Sequence, residues 1–311
     1  METIIKKYDD SNQYKEAIMS DAITSETIRD NITMPEFVYK YRSFNDKNWK
    51  DLMNGNFYFS TPDNFNKNDN NDCLVKYDMN SIINEIIKLY NINPSQINKA
   101  RKKKIKSMFK NYADSLRKPL KIGCFTTADP TQRDMWDDKV FGDCGNGFCI
   151  KYKVDKEYFF PDNIIFLKVL YEATLYDSTQ ELCYLIRSKG MNKDSPYTGK
   201  VVCLVYNHIL IKHSDYKAEK EWRIIVPENR WSEYFDKEGI DTKNISKQMV
   251  SIYLGKDYKD VDSADEKYYC ALNVCKKLNI PLYHMIEEKN GVLKEECIFN
   301  PDMANTDLNS D

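Results

Sequence analysis

Two glutamates separated by a single residue open an apolar run: Ala218-Glu219-Lys220-Glu221-Trp222-Arg223-Ile224-Ile225-Val226. Residues two apart in a strand share a face, so both carboxylates would point the same way. Like charges on one face repel and cost free energy unless something compensates them. Two readings stand. Either both flank the strand start in solvent or pair with the neighbours of Lys220 and with Arg223, or they share a cleft as a general base and an electrostatic stabiliser. A second group is Tyr39-Lys40-Tyr41-Arg42-Ser43. An arginine leaving a strand beside aromatics can grip a phosphate through two N–H donors while a ring stacks on a base. It can equally lie over an aromatic ring at the surface. A third, Phe57-Tyr58-Phe59-Ser60-Thr61, ends in two hydroxyls that either serve a site or form a turn with Pro62. The fourth is Arg101-Lys102-Lys103-Lys104-Ile105-Lys106. On a helix, Lys102, Lys103, Lys106 and Lys110 form one cationic stripe, either a contact for nucleic-acid phosphates or a solvated face. Trp136 and Trp222 read as core anchors.

The elements that would position these groups follow from pattern and punctuation. Aromatic and β-branched content predicts strands at 37–41, 56–61, 120–126, 147–154, 164–171, 223–226, 250–254 and 281–286. Asn45 or Asp46 can cap a short helix through residue 53, and Gly55 suits its stop. Further helices are expected at 82–90, from Pro94 to about 116, from Asp177 or Ser178 to 188, and at 263–278. A weak helical pattern covers 14–32, residues 66–72 read as a loop, and 200–211 fits a helix or a strand. The last strand–helix–strand trio reads as a crossover. The expected organisation is a polar, partly helical segment at 1–34, one α+β domain at 35–298 with a helical insert at about 66–118, and a disordered tail at 299–311.

Composition excludes several classes. The 311 residues carry 46 Lys+Arg against 48 Asp+Glu, a net charge of -2, so whole-protein capture of nucleic acid is excluded while a local basic patch is not. A chain of this length can bury about three quarters of its unfolded surface and needs no covalent or metal staple. No apolar run reaches the roughly 18 residues of a spanning helix, and Met1 to Asn12 lacks the apolar core of a secretory signal. Nine cysteines (73, 124, 144, 149, 183, 203, 270, 275 and 297) include no C-x-x-C pair, and the three histidines (208, 213 and 284) lack ligand spacing. No metal is expected, and the scattered thiols point to a reducing cytoplasm.

In order along the chain, Tyr39-Lys40-Tyr41-Arg42-Ser43-Phe44, Phe57 to Phe65 with its Thr-Pro-x-x-Phe-Asn, Cys124-Phe125-Thr126, Met135-Trp136, Gly147-Phe148-Cys149-Ile150 and Glu219-x-Glu221-Trp222-Arg223 form an ordered set. It resembles the bacterial domain-of-unknown-function family 2971 over roughly residues 37 to 286. The chain departs from that pattern at Lys67, where the family carries an Asp that Asp69 or Asp72 would replace. It departs again at Phe141 and Asp143-x-Gly145, where the family tends to have a Tyr and a His-x-Gly. The motif order in turn resembles the Arg–Ser–Glu type of the ADP-ribosyltransferase superfamily. That resemblance implies a split mixed or antiparallel sheet with flanking helices and NAD as a substrate. It further implies that Arg42 holds the NAD diphosphate or adenosine ribose, and that Ser60 orients the catalytic glutamate. Thr61 would support the strand, and Tyr39 or Tyr41 would face the nicotinamide. Glu221 would stabilise the ribosyl cation, and Glu219 would orient or deprotonate the acceptor. The acceptor would be a protein or nucleic acid, the latter recruited by Arg101, Lys102, Lys103 and Lys106, with no membrane involved. The implied role is a toxin or phage-defence effector. Two other expectations are a metal-dependent nuclease built on Asp63, Asp69, Asp72 and Glu221, and a non-catalytic sensor of a nucleotide or phage protein.

Overall fold

A computed structural model describes residues 7–20, 25–65, 72–139, 141–159, 161, 164–187, 207–235, 242–258 and 266–304. Its centre is an eight-stranded, largely antiparallel sheet. In spatial order the strands are β12 (Leu293–Phe299), β11 (Leu282–Glu287), β10 (Met249–Leu254), β4 (Phe148–Lys153), β1 (Phe37–Arg42), β3 (Leu120–Thr126), β8 (Glu221–Pro227) and β5 (Ile165–Lys168). Among the described strands of this sheet only β10 and β11 run parallel, joined through the helix Glu266–Leu278 as a crossover. Two short pairs accompany the sheet: β2 (Asn56–Tyr58) with β9 (Thr242–Asn244), and β6 (Leu170–Glu172) with β7 (Ile211–His213). The molecule is therefore mixed α+β.

The sheet splits where the site forms. β1 pairs with β4 along its length, from Phe37 opposite Lys153 to Arg42 opposite Phe148, but with β3 only where Tyr39 faces Thr126. The freed edge of β3 is taken by the residues after β2. Ser60 N–H donates to Ile122 O at 2.9 Å, and Ile122 N–H returns the bond to Ser60 O at 2.8 Å. Glycine at 123 makes that approach possible, because a Cβ there would lie 2.7 Å from the Phe59 ring and 2.8 Å from the Phe57 ring. Phe57 stacks on Phe125 with centroids 4.3 Å apart, a pair worth about 1 kcal/mol beyond its buried area.

The helix Asp46–Asn54 is set by its ends, as the sequence indicates. Asn45 Oδ1 accepts the Asn48 N–H at 2.9 Å, and Gly55 closes the helix at φ +68°. The N-terminal helices Ser11–Ile18 and Ser25–Asp30 bury Tyr14, Ile18, Ile28 and Ile32 in the same core as the sheet. Within the insert, the helices Met79–Leu89 and Lys99–Arg117 pack with the helix Thr179–Arg187 around Val75, Ile82 and Leu182.

Several elements differ from expectation, each for a physical reason. The strand expected at 164–171 breaks after Lys168, because its partner β8 begins at Glu221, whose carbonyl accepts the Val169 N–H, and β6 turns away to pair with β7. The long helix expected from Pro94 is a 3-10 turn, Pro94–Gln96, followed by a helix that starts only after its own cap, Asn98. Of 200–211, residues 207–210 are helical, as expected, while Ile211 opens the strand Ile211–His213 and 200–206 lie outside the described residues. The supposed tail contributes Phe299 to β12 and a helical turn at Pro301–Ala304, while 305–311 lies outside the described residues. No helix among the described residues is long and apolar enough to cross a membrane.

Candidate functional site

A cavity of about 360 Å3 opens at the split between β1 and β3. Its lining brings together Tyr39, Lys40, Tyr41 and Arg42 from β1, Ser60, Cys124 and Thr126 from the β3 side, and Glu219 and Glu221 from the start of β8. Asp72 and Lys212 complete the polar wall.

The turn that delivers the two glutamates is tied down at each step. A 3-10 segment, Ser214–Glu219, ends at Lys220, whose φ of +44° is left-handed. Glu219 and Glu221 therefore reach the cavity through a bent turn and not through simple strand alternation. Thr126 Oγ1 donates to the Glu219 carbonyl, Thr127 N–H donates to Lys220 O at 3.2 Å, and Tyr171 OH accepts the Glu221 N–H at 2.9 Å.

Behind the glutamates lies a buried ion network centred on Arg223, which is fully shielded from solvent. Its guanidinium holds Glu221 at 2.9 and 3.0 Å and Asp72 at 2.9 and 2.7 Å, a fork on each side. It also donates to Ile209 O at 2.6 Å. Lys212 Nζ lies 2.8 Å from Glu219 and 3.7 Å from both Asp72 and Glu221. Three carboxylates thus share two cations. The expectation that Glu221 pairs with Arg223 and the expectation that both glutamates face one cleft both describe this geometry. They are not alternatives.

The network drives the two carboxyls apart. Burial alone would raise Glu221, but Arg223 and then Lys212 outweigh it and hold its pKa down to about 2. Glu219 lacks a guanidinium, and burial first, then the Glu221 charge, raises it to about 7 despite Lys212. Lys212 is itself held above the usual lysine range, its burial more than offset by Glu221, Glu219 and Asp72. A raised carboxyl binds its proton more tightly folded than unfolded, so ionising Glu219 erodes stability as pH rises from about 4.5 to about 7. Glu219→Gln is expected to remove that erosion. The melting temperature of the variant minus that of the parent should grow between pH 5 and pH 8, and a difference flat with pH would show that Glu219 ionises normally.

The opposite wall carries the β1 cations. Lys40 Nζ and the Arg42 guanidinium lie 5.7 and 5.8 Å from the Phe57 ring centroid. Tyr41 is committed to the core: its hydroxyl donates to Ala128 O and Asp129 O, and its ring meets Trp136 edge-on at 5.0 Å. Tyr39 is the half-buried one of the pair. Ser60 is half-buried at the rim.

Other expected site residues lie elsewhere. Thr61 does not line this cavity; its Oγ1 accepts the Asn64 side-chain amide at 3.2 Å, the turn role expected beside Pro62. Arg101, Lys102, Lys103 and Lys106 are exposed on the helix Lys99–Arg117 and line no part of the cavity. Of the carboxylates expected to hold a metal, Asp63 is exposed, Asp72 and Glu221 spend their oxygens on Arg223, and Asp69 lies outside the described residues. Among the described residues no group of three or more His, Cys, Asp or Glu is placed to hold a metal ion. Lys40 and Lys212 were given no role from sequence. Lys40 sits inside the quoted β1 motif, and Lys212 follows an apolar stretch with nothing local to mark it.

Residues 135–224 match the model of a family described as protein of unknown function (DUF2971). That segment contains Trp136, Lys212, Glu219, Glu221 and Arg223, whereas Arg42 and Ser60 precede it. No curated protein and no solved structure matches the chain.

Proposed function

We propose that this chain cleaves the N-glycosidic bond between nicotinamide and ribose in NAD, on a split sheet of ADP-ribosyltransferase type, and passes ADP-ribose to a macromolecule or to water. The supporting observation is that Arg42, Ser60, Glu219 and Glu221, remote in sequence, line one cavity with opposite electrical walls. The β1 side is cationic and the β8 side anionic. NAD has the complementary layout, with a dianionic diphosphate at one end of the reacting unit and a developing cation at the other.

The chemistry follows from those walls. Arg42 grips the diphosphate, and Glu221 stays ionised at any physiological pH because Arg223 fixes its charge. As the bond between C1′ and the pyridinium nitrogen breaks, the electron pair leaves with nicotinamide and positive charge spreads over C1′ and the ring oxygen. A preorganised carboxylate opposite that charge is worth roughly 3–4 kcal/mol. Glu219, with its proton leaving near pH 7, takes the proton of the acceptor O–H as its oxygen bonds to C1′. Glu221 is oriented by Arg223 and not by Ser60, whose hydroxyl donates to Thr61 O at 3.5 Å; Ser60, fixed to β3 by two backbone bonds, is left to position the ribose end.

Incubating the full chain with NAD and quantifying nicotinamide tests this reading. Expected is protein-dependent release whose rate climbs as pH passes through about 7. Thermal stabilisation by NAD without any release would overturn it in favour of a sensor. Magnesium-dependent cleavage of nucleic acid without nicotinamide release would overturn it in favour of a nuclease.

A further inference from the structure

Every cation lining the anionic wall is matched by carboxylates, but the β1 cations are not. Lys212 and Arg223 absorb Asp72, Glu219 and Glu221. The side chains of Lys40 and Arg42 make no ion pair and no hydrogen bond among the described residues; the Phe57 ring is near both, and the carboxylates that act on them, Glu219 and Glu221 on Lys40 and Asp51 on Arg42, do so without contact. They stand two apart on β1, hence on one face, opposite Ile150 and Phe148 of β4. Two half-buried like charges on one strand face repel, neither neighbouring strand supplies an anion, and Asp51 of the helix Asp46–Asn54 acts on Arg42 electrostatically without pairing with it. A protein pays for such an arrangement at a functional site when a ligand brings the missing charge. A single carboxylate would satisfy one of the two. A diphosphate, with a charge on each phosphorus, satisfies both.

We infer that Lys40 and Arg42 together form a two-cation cradle for a diphosphate diester, and that Lys40 is the residue by which this cavity selects diphosphate-bearing ligands over plain nucleosides. The inference rests on the cavity being the ligand site of the reading above, but not on turnover. Its consequence is proton-linked binding. The groups facing Lys40 are Arg42 on its own strand, Cys124 on β3, and Glu219 and Glu221 from the β8 side. Burial first, then Arg42, lower its pKa to about 8, against the weaker opposing pull of Cys124, Glu221 and Glu219. Above that pH the empty cradle holds one cation, and a diphosphate must draw a proton onto Lys40 as it binds.

ADP-ribose is the probe, because its diphosphate diester has no titrating proton in this range. Calorimetry should show affinity about tenfold weaker at pH 9 than at pH 7, with proton uptake visible as a dependence on buffer ionisation enthalpy. Lys40→Met should lose at least tenfold in ADP-ribose affinity at pH 7 while leaving adenosine affinity unchanged. Its melting temperature at pH 7 should equal or exceed the parent value, because an uncompensated desolvated charge is gone. Lys40→Arg should keep the affinity and lose the pH dependence, a result that a purely structural lysine does not produce. Unchanged ADP-ribose affinity in Lys40→Met, or a pH slope retained in Lys40→Arg, overturns the cradle. ADP-ribose binding with this behaviour but no nicotinamide release from NAD overturns the enzymatic reading and leaves the cradle standing.

Discussion

Arg223→Leu is expected to cost about 3–5 kcal/mol of folding free energy in urea denaturation. The guanidinium is fully buried and satisfies four carboxylate oxygens and one carbonyl. Leucine fills part of the volume but leaves Lys212, 3.7 Å from each, as the one cation of the network beside Asp72 and Glu221. Arg223→Lys should rescue little, because one ammonium cannot fork to two carboxylates at once. The loss has a pH signature. Glu221 is depressed from 4.5 to about 2 in the fold, so its pairing contributes stability above pH 4.5 that disappears as pH falls through about 2. At 1.36 kcal/mol per unit that contribution is about 3 kcal/mol. The difference between parent and Arg223→Leu should therefore narrow steadily below pH 4.5. A difference of under 1 kcal/mol at pH 7 would mean that the ion network is incidental.

How far the sequence foretells all this depends on the range of the interactions involved. Helix Asp46–Asn54 was legible because both signals are local, an Asn cap and a left-handed Gly. Strands β1, β3 and β10 were legible from their aromatic and β-branched runs, and the β10–β11 crossover from their spacing. β12 was not: Leu-Lys-Glu-Glu-Cys-Ile-Phe is an edge strand with four consecutive exposed residues, so it carries no apolar alternation. The 164–171 strand broke because its partner β8 begins at Glu221, which Val169 bonds, so Leu170–Glu172 pair with β7 instead. In the site, E-x-E and the Arg of β1 were visible as residue types, but not the fact that Arg223 would take both oxygens of Glu221. The Asp72 pairing was likewise out of reach, since it joins residues 151 apart across a loop that shows no periodicity. The missing signal in each case is a tertiary partner. Lys40 was overlooked for the opposite reason. A lysine in an aromatic strand looks solvated, and only the packing shows that nothing pairs with it.

If NAD is the substrate, Glu221→Gln should lower nicotinamide release by roughly 10²–10³-fold per folded molecule, with little change in KM. The isosteric amide keeps the shape of the wall and removes only the charge that opposes the ribosyl cation. The same change also costs stability, because Arg223 loses one of its two carboxylates while buried. Activity must therefore be normalised to the folded fraction, and Glu221→Gln cannot by itself separate a catalytic carboxylate from a structural one. Glu219→Gln separates them. Glu219 is bound to Lys212 and not to Arg223, and its ionisation works against folding, so this variant should melt no lower than the parent at pH 8. If Glu219 is the base, the variant should nonetheless lose about 10²-fold in transfer to an acceptor and the rise in rate through pH 7. A Glu219→Gln protein that is stable, binds NAD and keeps the parental pH profile removes Glu219 from the reaction. Nicotinamide release within tenfold of the parent from folded Glu221→Gln would remove the electrostatic role of Glu221, and with it the mechanism.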